Sequence, residues 1–196
     1  ITLRMKSLIN DIYPADTSRS VRANLLAKMT DGQCVAAFAF YGYMKSPEDK
    51  HKLVIDPVAG AVVQDIYHLK LKGYSFSAIA EILNLRGILP PLAYKQLYLG
   101  QNLKTGFQTK GKSRWEATMV RRILMDERYT GVLLQGRTTT PNHKVKRIIH
   151  KPEDEWVRVE NAFEGLIDKY TFMVVANLLE GIQGKVPAVW HFSAAW

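Results

Sequence analysis

Apolar residues fall at helical spacing through much of the chain, with short extended runs between the helical stretches. Within residues 1–30, Leu8, Ile9, Ile12 and Tyr13 form one apolar set, and Pro14 predicts a kink or a restart. Asp16 or Thr17 can cap a second piece with Val21 and Leu25 on its buried flank, and Asp31-Gly32 supplies a stop. From Gln33 to Tyr43 the chain is apolar and then aromatic, which reads as an extended connector or as a short core strand. A polar turn at Ser46–Lys50 precedes a strand-like run, Lys52–Ile55. Asp56-Pro57 then opens a helix, with Asp as N-cap and Pro in the first turn. Its expected inner stripe is Val58, Val62, Val63, Ile66 and Leu69, and Gly73 ends it. Ser75 caps the next helix, with Ile79, Ile82, Leu83 and Leu85 inward and Gly87 as terminator.

After an insertion, Ile88–Lys112, that has room for a helical turn, the stretch Ser113–Gly131 carries the sharpest pattern. Ser113 and Glu116 have capping-box spacing. Ala117, Val120, Ile123 and Leu124 make an apolar stripe, and Thr118, Arg121 and Arg122 fall opposite it. Such a helix can present arginines to guanine edges or to phosphates; the plainer alternative is a solvated charged face. Beyond Gly131, Val132–Leu134 reads as a strand. Gly136–His150 reads as a basic arm that can fold as a hairpin with its tip near Pro141-Asn142, and Trp156–Val159 reads as another strand. Asp168 caps a last helix with Phe172, Val175, Leu178 and Leu179 inward; Gly181–Trp196 shows no periodicity. These elements predict a mostly helical α+β fold: a helix-turn-helix-like trihelical domain with a few short strands.

Charge gives that stretch its meaning. The chain carries a formal +9, and residues 101–151 hold 12 Lys or Arg against three acids, Glu116, Asp126 and Glu127. The other residues are balanced, 15 basic against 15 acidic, so the excess sits around the candidate helix. A concentrated positive patch favours a polyanion, since each phosphate it neutralises releases condensed counterions. An anionic membrane surface would call for a basic amphipathic helix with a bulky exposed apolar face, which the sequence lacks. No apolar run approaches the ~18 residues of a membrane span, and no signal peptide is apparent. The 196 residues suit one or two domains, and a 47% hydrophobic content is enough for a packed core. One cysteine, Cys34, excludes an internal disulfide framework and fits a reducing cytoplasm.

The ordered motifs DTSRSVR, YGYMKSPEDKHKLVID, IAEILNLRGI and W–xx–T–xV–RRIL–x–DERYTGVLLQGR resemble the large serine recombinases. The resemblance covers roughly Asp16–Leu179 and concerns their post-catalytic DNA-binding domain. It implies a site-specific recombinase or transposase that integrates, excises or moves DNA. In that family a separate resolvase-like domain carries a serine nucleophile that joins to the DNA 5′ phosphate without metal or ATP. Asp16–Lys28 look like the end of the helix that leads out of that domain. The expected organisation is therefore residues 1–32 as the end of a linker helix, 33–180 as the DNA-binding domain, and 181–196 unassigned. Double-stranded DNA and the catalytic domain of the same full-length protein, assembled as a homo-oligomer on DNA, are the implied partners.

Departures from the family pattern matter as much. Too few residues precede Asp16 to hold the catalytic domain, no initiator methionine is present, and no catalytic residue is assigned. The chain is expected to be an excised part of a cytoplasmic recombinase and inactive alone. The cysteine-rich zinc ribbon is missing, so neither a metal nor a cofactor is expected. Glu116 stands where the family commonly has Ser or Thr. The expected DNA contacts are Thr118, Arg121 and Arg122, with Lys110, Lys112 and Arg114 as phosphate anchors. Arg128 and Arg137 are weaker, and Arg19, Arg22 and Lys28 suit a linker crossing the minor groove. Trp115, Tyr129 and Trp156 fit a core better than a stacking platform, and His143 and His150 lack metal-ligand partners. Two other classes remain: a free-standing helix-turn-helix transcription regulator, and an RNA-binding module with aromatics exposed on a sheet.

Overall fold

A computed structural model describes residues 2–100, 113–140, 145 and 147–183, without the side chains of 2–15, 180, 182 and 183. The described chain is α+β and mostly helical. It contains α1 (Thr2–Thr30), β1 (Tyr43–Lys45), β2 (Leu53–Ile55), α2 (Pro57–Leu71), α3 (Phe76–Leu85), α4 (Pro91–Tyr98) and α5 (Ala117–Leu124). Then follow β3 (Leu133–Gln135), β4 (Thr138–Thr139), β5 (Ile149–His150), β6 (Val157–Val159) and α6 (Lys169–Gln183). Two compact units interleave along the sequence: Ile1–Ala59 with Arg128–Leu166, and Gly60–Glu127 with Ile167–Trp196. No described helix is long and apolar enough to cross a membrane.

The first unit contains the strands, paired antiparallel as β1–β2, β3–β6 and β4–β5. The β4–β5 pairing bears out a hairpin in the basic arm, although its expected tip, Pro141-Asn142, lies outside the described residues. With such short strands, aromatic packing holds the unit. Phe40, Tyr43, Tyr129 and Phe163 cluster, with Phe40–Tyr43 centroids 4.7 Å apart and Tyr43–Phe163 edge-to-face at 5.0 Å. The buried hydroxyls find backbone partners, as burial requires. Tyr43 donates to Glu164 O at 2.9 Å and accepts from Leu166 N at 3.0 Å, while Tyr129 donates to Tyr41 O at 3.0 Å. Residues 33–42 form an irregular connector rather than a strand. Buried Gln135 fixes it by accepting from Val35 N and donating to Gln33 O, both at 2.8 Å.

The expected restart at Pro14 does not occur: α1 runs through it. Proline removes one donor and crowds one turn, and in a helix of 29 residues the turns on either side continue. Val21 and Leu25, expected inward, are exposed, because the described part of α1 is solvated on most sides. Asp31-Gly32 does stop the helix: Gly32 N bonds to Met29 O and Gln33 N to Lys28 O, a Schellman closure.

The caps of α2, α3 and α6 follow the sequence closely. Asp56 Oδ1 accepts from Val58 N and Ala59 N at the start of α2, and Ser75 Oγ accepts from Ala78 N for α3. Asp168 Oδ1 accepts from Thr171 N at 2.8 Å, and the Thr171 hydroxyl and amide hold its carboxyl below the usual range. Between α2 and α3 the chain reverses through Gly73 at φ 89°, where a side chain would be strained. The buried stripes are Val63, Ile66, Tyr67 and Lys70 on α2, Ile79 and Leu83 on α3, and Phe172, Val175 and Leu179 on α6. Three expected core residues are exposed instead: Val58, Leu85 and Leu178. Leu85 lies six residues beyond buried Ile79 and two beyond buried Leu83, about 120° and 160° round the axis from them.

Tyr67, fully buried, donates from its hydroxyl to Ile123 O and Leu124 O at 3.3 and 3.4 Å, tying α2 to the last turn of α5. Burial, and then the nearby Asp126 charge, push its pKa well above the ordinary tyrosine value of 10.0. The folded protein therefore keeps the phenol proton after the unfolded chain has lost it, and stability from this group falls as pH rises above about 10. Tyr67→Phe removes that linkage: its thermal midpoint should decline less steeply than wild type between pH 9 and 11, after a loss of about 1 kcal/mol at neutral pH. At Gly131, with φ 90°, a Cβ would sit 2.6 Å from Phe163 O. Gly131→Ala should cost at least about 1–3 kcal/mol, read as a lowered denaturation midpoint.

Candidate nucleic-acid interface

The segment before α5 is held by a side-chain amide. Asn84, on α3, accepts from Trp115 N at 2.8 Å through Oδ1 and donates to Trp115 O at 3.0 Å through Nδ2. The Trp115 indole is fully buried and donates to Ile88 O at 3.0 Å, just past the end of α3. Both backbone groups of Trp115 are thus engaged outside any helix, so α5 begins only beyond it. Its N-cap is Glu116, at φ −125° and ψ 153°, whose side chain makes no capping bond. The capping box expected from Ser113 is therefore not formed; Ser113 lies ahead of the helix in the non-helical segment that Asn84 fixes.

From that start, α5 turns the expected faces in and out. Val120, Ile123 and Leu124 are buried, and α5 packs against α3 and α6. Thr118, Arg121 and Arg122 are exposed. Positions 118 and 122 lie about 40° apart round the axis and 118 and 121 about 60° apart on the other side, so Thr118 lies between the two arginine positions on that face. Arg114, exposed, lies just ahead of the helix. Lys110 and Lys112 lie outside the described residues. With its first residues held through Trp115 and its last turn through Tyr67, α5 is fixed at both ends and presents a charged face.

The other expected contacts belong to the first unit. Arg19 pairs with Asp16 at 3.5 Å, with both side chains mostly exposed. Arg22 donates to Thr140 O and Oγ1 at 3.3 and 3.5 Å, joining α1 to the arm that contains β4 and β5. Lys28 Nζ lies 3.5 Å from His51 Nε2. Arg128 stacks 4.5 Å from the Phe40 ring centroid, beside the aromatic cluster, and Arg137 stacks 4.4 Å from that of Trp156. These arginines and the lysine have partners within the first unit, and Thr118, Arg121 and Arg122 are exposed on α5 in the second. Trp115 and Tyr129 are core residues, as expected, and Trp156 is half-buried. Sequence reasoning missed Asn84, Tyr67 and Gln135. Only Asn84 left a signal, as an amide within the apolar pattern of α3.

Against known proteins, residues 57–181 match the Recombinase family. That stretch runs from the first turn of α2 into α6 and includes the Asn84–Trp115 bridge and α5. Among solved structures, the fold is similar to one described as "Crystal Structure of a LSR-DNA Complex", with a TM-score of 0.50 and 17% identity. The likeness covers 90% of this chain and 42% of that one, so the chain spans less than half the length of that relative. At this identity the likeness concerns the fold, which bears out the α+β, mostly helical expectation. The family match extends over most of the chain, and it is the sequence, through that match, that identifies this protein as a member of the Recombinase family.

Proposed function

We propose that this chain binds double-stranded DNA sequence-specifically and is the DNA-binding part of a large serine recombinase. In this reading α5 lies in the major groove, with Arg121 and Arg122 meeting guanine edges or phosphates and Thr118 between them. Arg114, Lys110 and Lys112, just ahead of the helix, anchor the backbone of the same site. Arg19, Arg22, Lys28, Arg128 and Arg137 belong to the other unit, and their role is secondary, along the phosphate backbone. The domain holds one half of an attachment or transposon-end site for a serine nucleophile carried by a catalytic domain of the full-length protein, acting as a homo-oligomer on DNA in the cytoplasm.

The observation that carries the reading is the α5 face: exposed Thr118, Arg121 and Arg122 on a helix whose opposite face is buried and whose ends are both fixed. The placing of the aromatics favours duplex DNA over an RNA-binding sheet, because Trp115, Tyr43 and Tyr129 are buried rather than displayed. The membership in the Recombinase family favours a recombinase over a free-standing transcription regulator.

Arg121→Ala combined with Arg122→Ala should weaken binding to a selected duplex about ten-fold or more beyond its effect on random duplex, since each good bidentate contact discriminates by roughly 1–3 kcal/mol. Titrations at several salt concentrations against duplex DNA, single-stranded DNA and RNA measure this. Equal affinity for all three nucleic acids, or an unchanged ratio of specific to random binding, refutes the proposal.

A further inference from the structure

The N-cap residue of α5 is the one acid in an otherwise positive stretch of sequence. Between Gln101 and Met125 the chain has six Lys or Arg and one acid, Glu116. Its backbone caps α5, yet its carboxylate makes no capping bond. It is exposed, and the only bond it receives among the described residues is a long one, from Thr118 Oγ1 to Oε2 at 3.4 Å. That bond inclines the carboxylate toward Thr118, and so toward the face that carries Arg121 and Arg122. No arginine or lysine pairs with it among the described residues.

A carboxylate held there is repelled by phosphate and by the acceptor edges of guanine and thymine. It can be accommodated against a duplex only where it meets a donor, because an ionised acid accepts hydrogen bonds and gives none. Cytosine offers that donor in the major groove, its N4 amino group, with no acceptor of its own beside it; adenine pairs its N6 amino group with the N7 acceptor. Resting on the reading of α5 as a major-groove helix, we infer that Glu116 is a specificity-determining residue that selects cytosine at one position of the half-site. Arg121 and Arg122 supply attraction and guanine contacts. Glu116 adds rejection: it lowers affinity for every duplex lacking a donor at its position, which an arginine does not do.

The test is selection from a duplex library with a randomised half-site, using wild type, Glu116→Ala and Glu116→Gln at one salt concentration, with the bound fraction sequenced. Wild type should enrich cytosine about ten-fold at one position, in line with a single charged contact to a base. Glu116→Ala should lose that enrichment, keep the preferences at all other positions, and bind random duplex more tightly. Glu116→Gln should move the preference at the same position to adenine, because a primary amide matches the N6–N7 edge. A general effect on the helix would not produce that switch. Since the carboxylate caps nothing, both variants should retain the wild-type circular dichroism spectrum and thermal midpoint. If both variants select the wild-type sequence, or the wild-type preference at the affected position is not cytosine, the role of Glu116 is refuted while duplex recognition by α5 stands. If wild type itself enriches no sequence, the reading of α5 falls and this inference with it.

Discussion

One side-chain amide sets the geometry of the charged face. Asn84 bridges the N–H and the C=O of Trp115, and the Trp115 indole bonds to Ile88 O from a fully buried position. An amide is the side chain for this task, since it offers a donor and an acceptor a fixed distance apart and matches the two backbone groups of an extended residue. The bond fixes where α5 starts, and where a helix starts decides which residues face outward. With the start at Ala117, Val120, Ile123 and Leu124 turn inward and Thr118, Arg121 and Arg122 outward. If the same helix were wound back to Ser113, as a capping box would have it, Trp115 would leave its pocket and both of its backbone groups would need new partners.

The same chemistry recurs in the other unit. Gln135 accepts from Val35 N and donates to Gln33 O, pinning a connector that has no strand partner there. Strands of two or three residues leave much of the backbone without a ladder, and buried backbone groups still require partners. Amides and tyrosine hydroxyls meet that requirement at selected points: Gln135 at the connector, Tyr43 at residues 164–166, Tyr129 at Tyr41. The arrangement makes positions such as Gly131, where the Phe163 carbonyl closes over the backbone, intolerant of even one added carbon.

These features divide what could be read in the sequence from what could not. Helix stripes and caps depend on neighbours a few residues apart, so Asp56, Ser75 and Asp168 as caps, and the inward Val120, Ile123 and Leu124, were legible. The charged face of α5 was legible for the same reason. Pro14 misled because a local rule about one proline says nothing of the turns that continue around it. Ser113 misled because Asn84, 31 residues before Trp115, holds both backbone groups of Trp115 outside the helix that a capping box would start. Leu85 was misplaced by treating every apolar residue in a helix as a core residue, although its angle from the buried stripe is large. The bonds of Gln135 and Tyr67 span long sequence distances and involve residues with no periodicity of their own, so nothing local announces them.

Charge shows the same limit. The sequence places the positive excess in one region but cannot say which cations are available to a partner. In the structure, Arg128 lies over Phe40, Arg137 over Trp156, and Arg22 reaches Thr140. Each gives the fold a contact that depends on its guanidinium group. On α5 the arginines are adjacent in sequence on a helix of eight residues, too short to hold itself together in water. Such a helix can display them only because it is fixed elsewhere: by buried Val120, Ile123 and Leu124 below, by Trp115 ahead and by Tyr67 behind. The bracing therefore explains the exposure. Where the fold itself stabilises a segment this short, its outer residues need not contribute to stability, and their identity is left to whatever they contact.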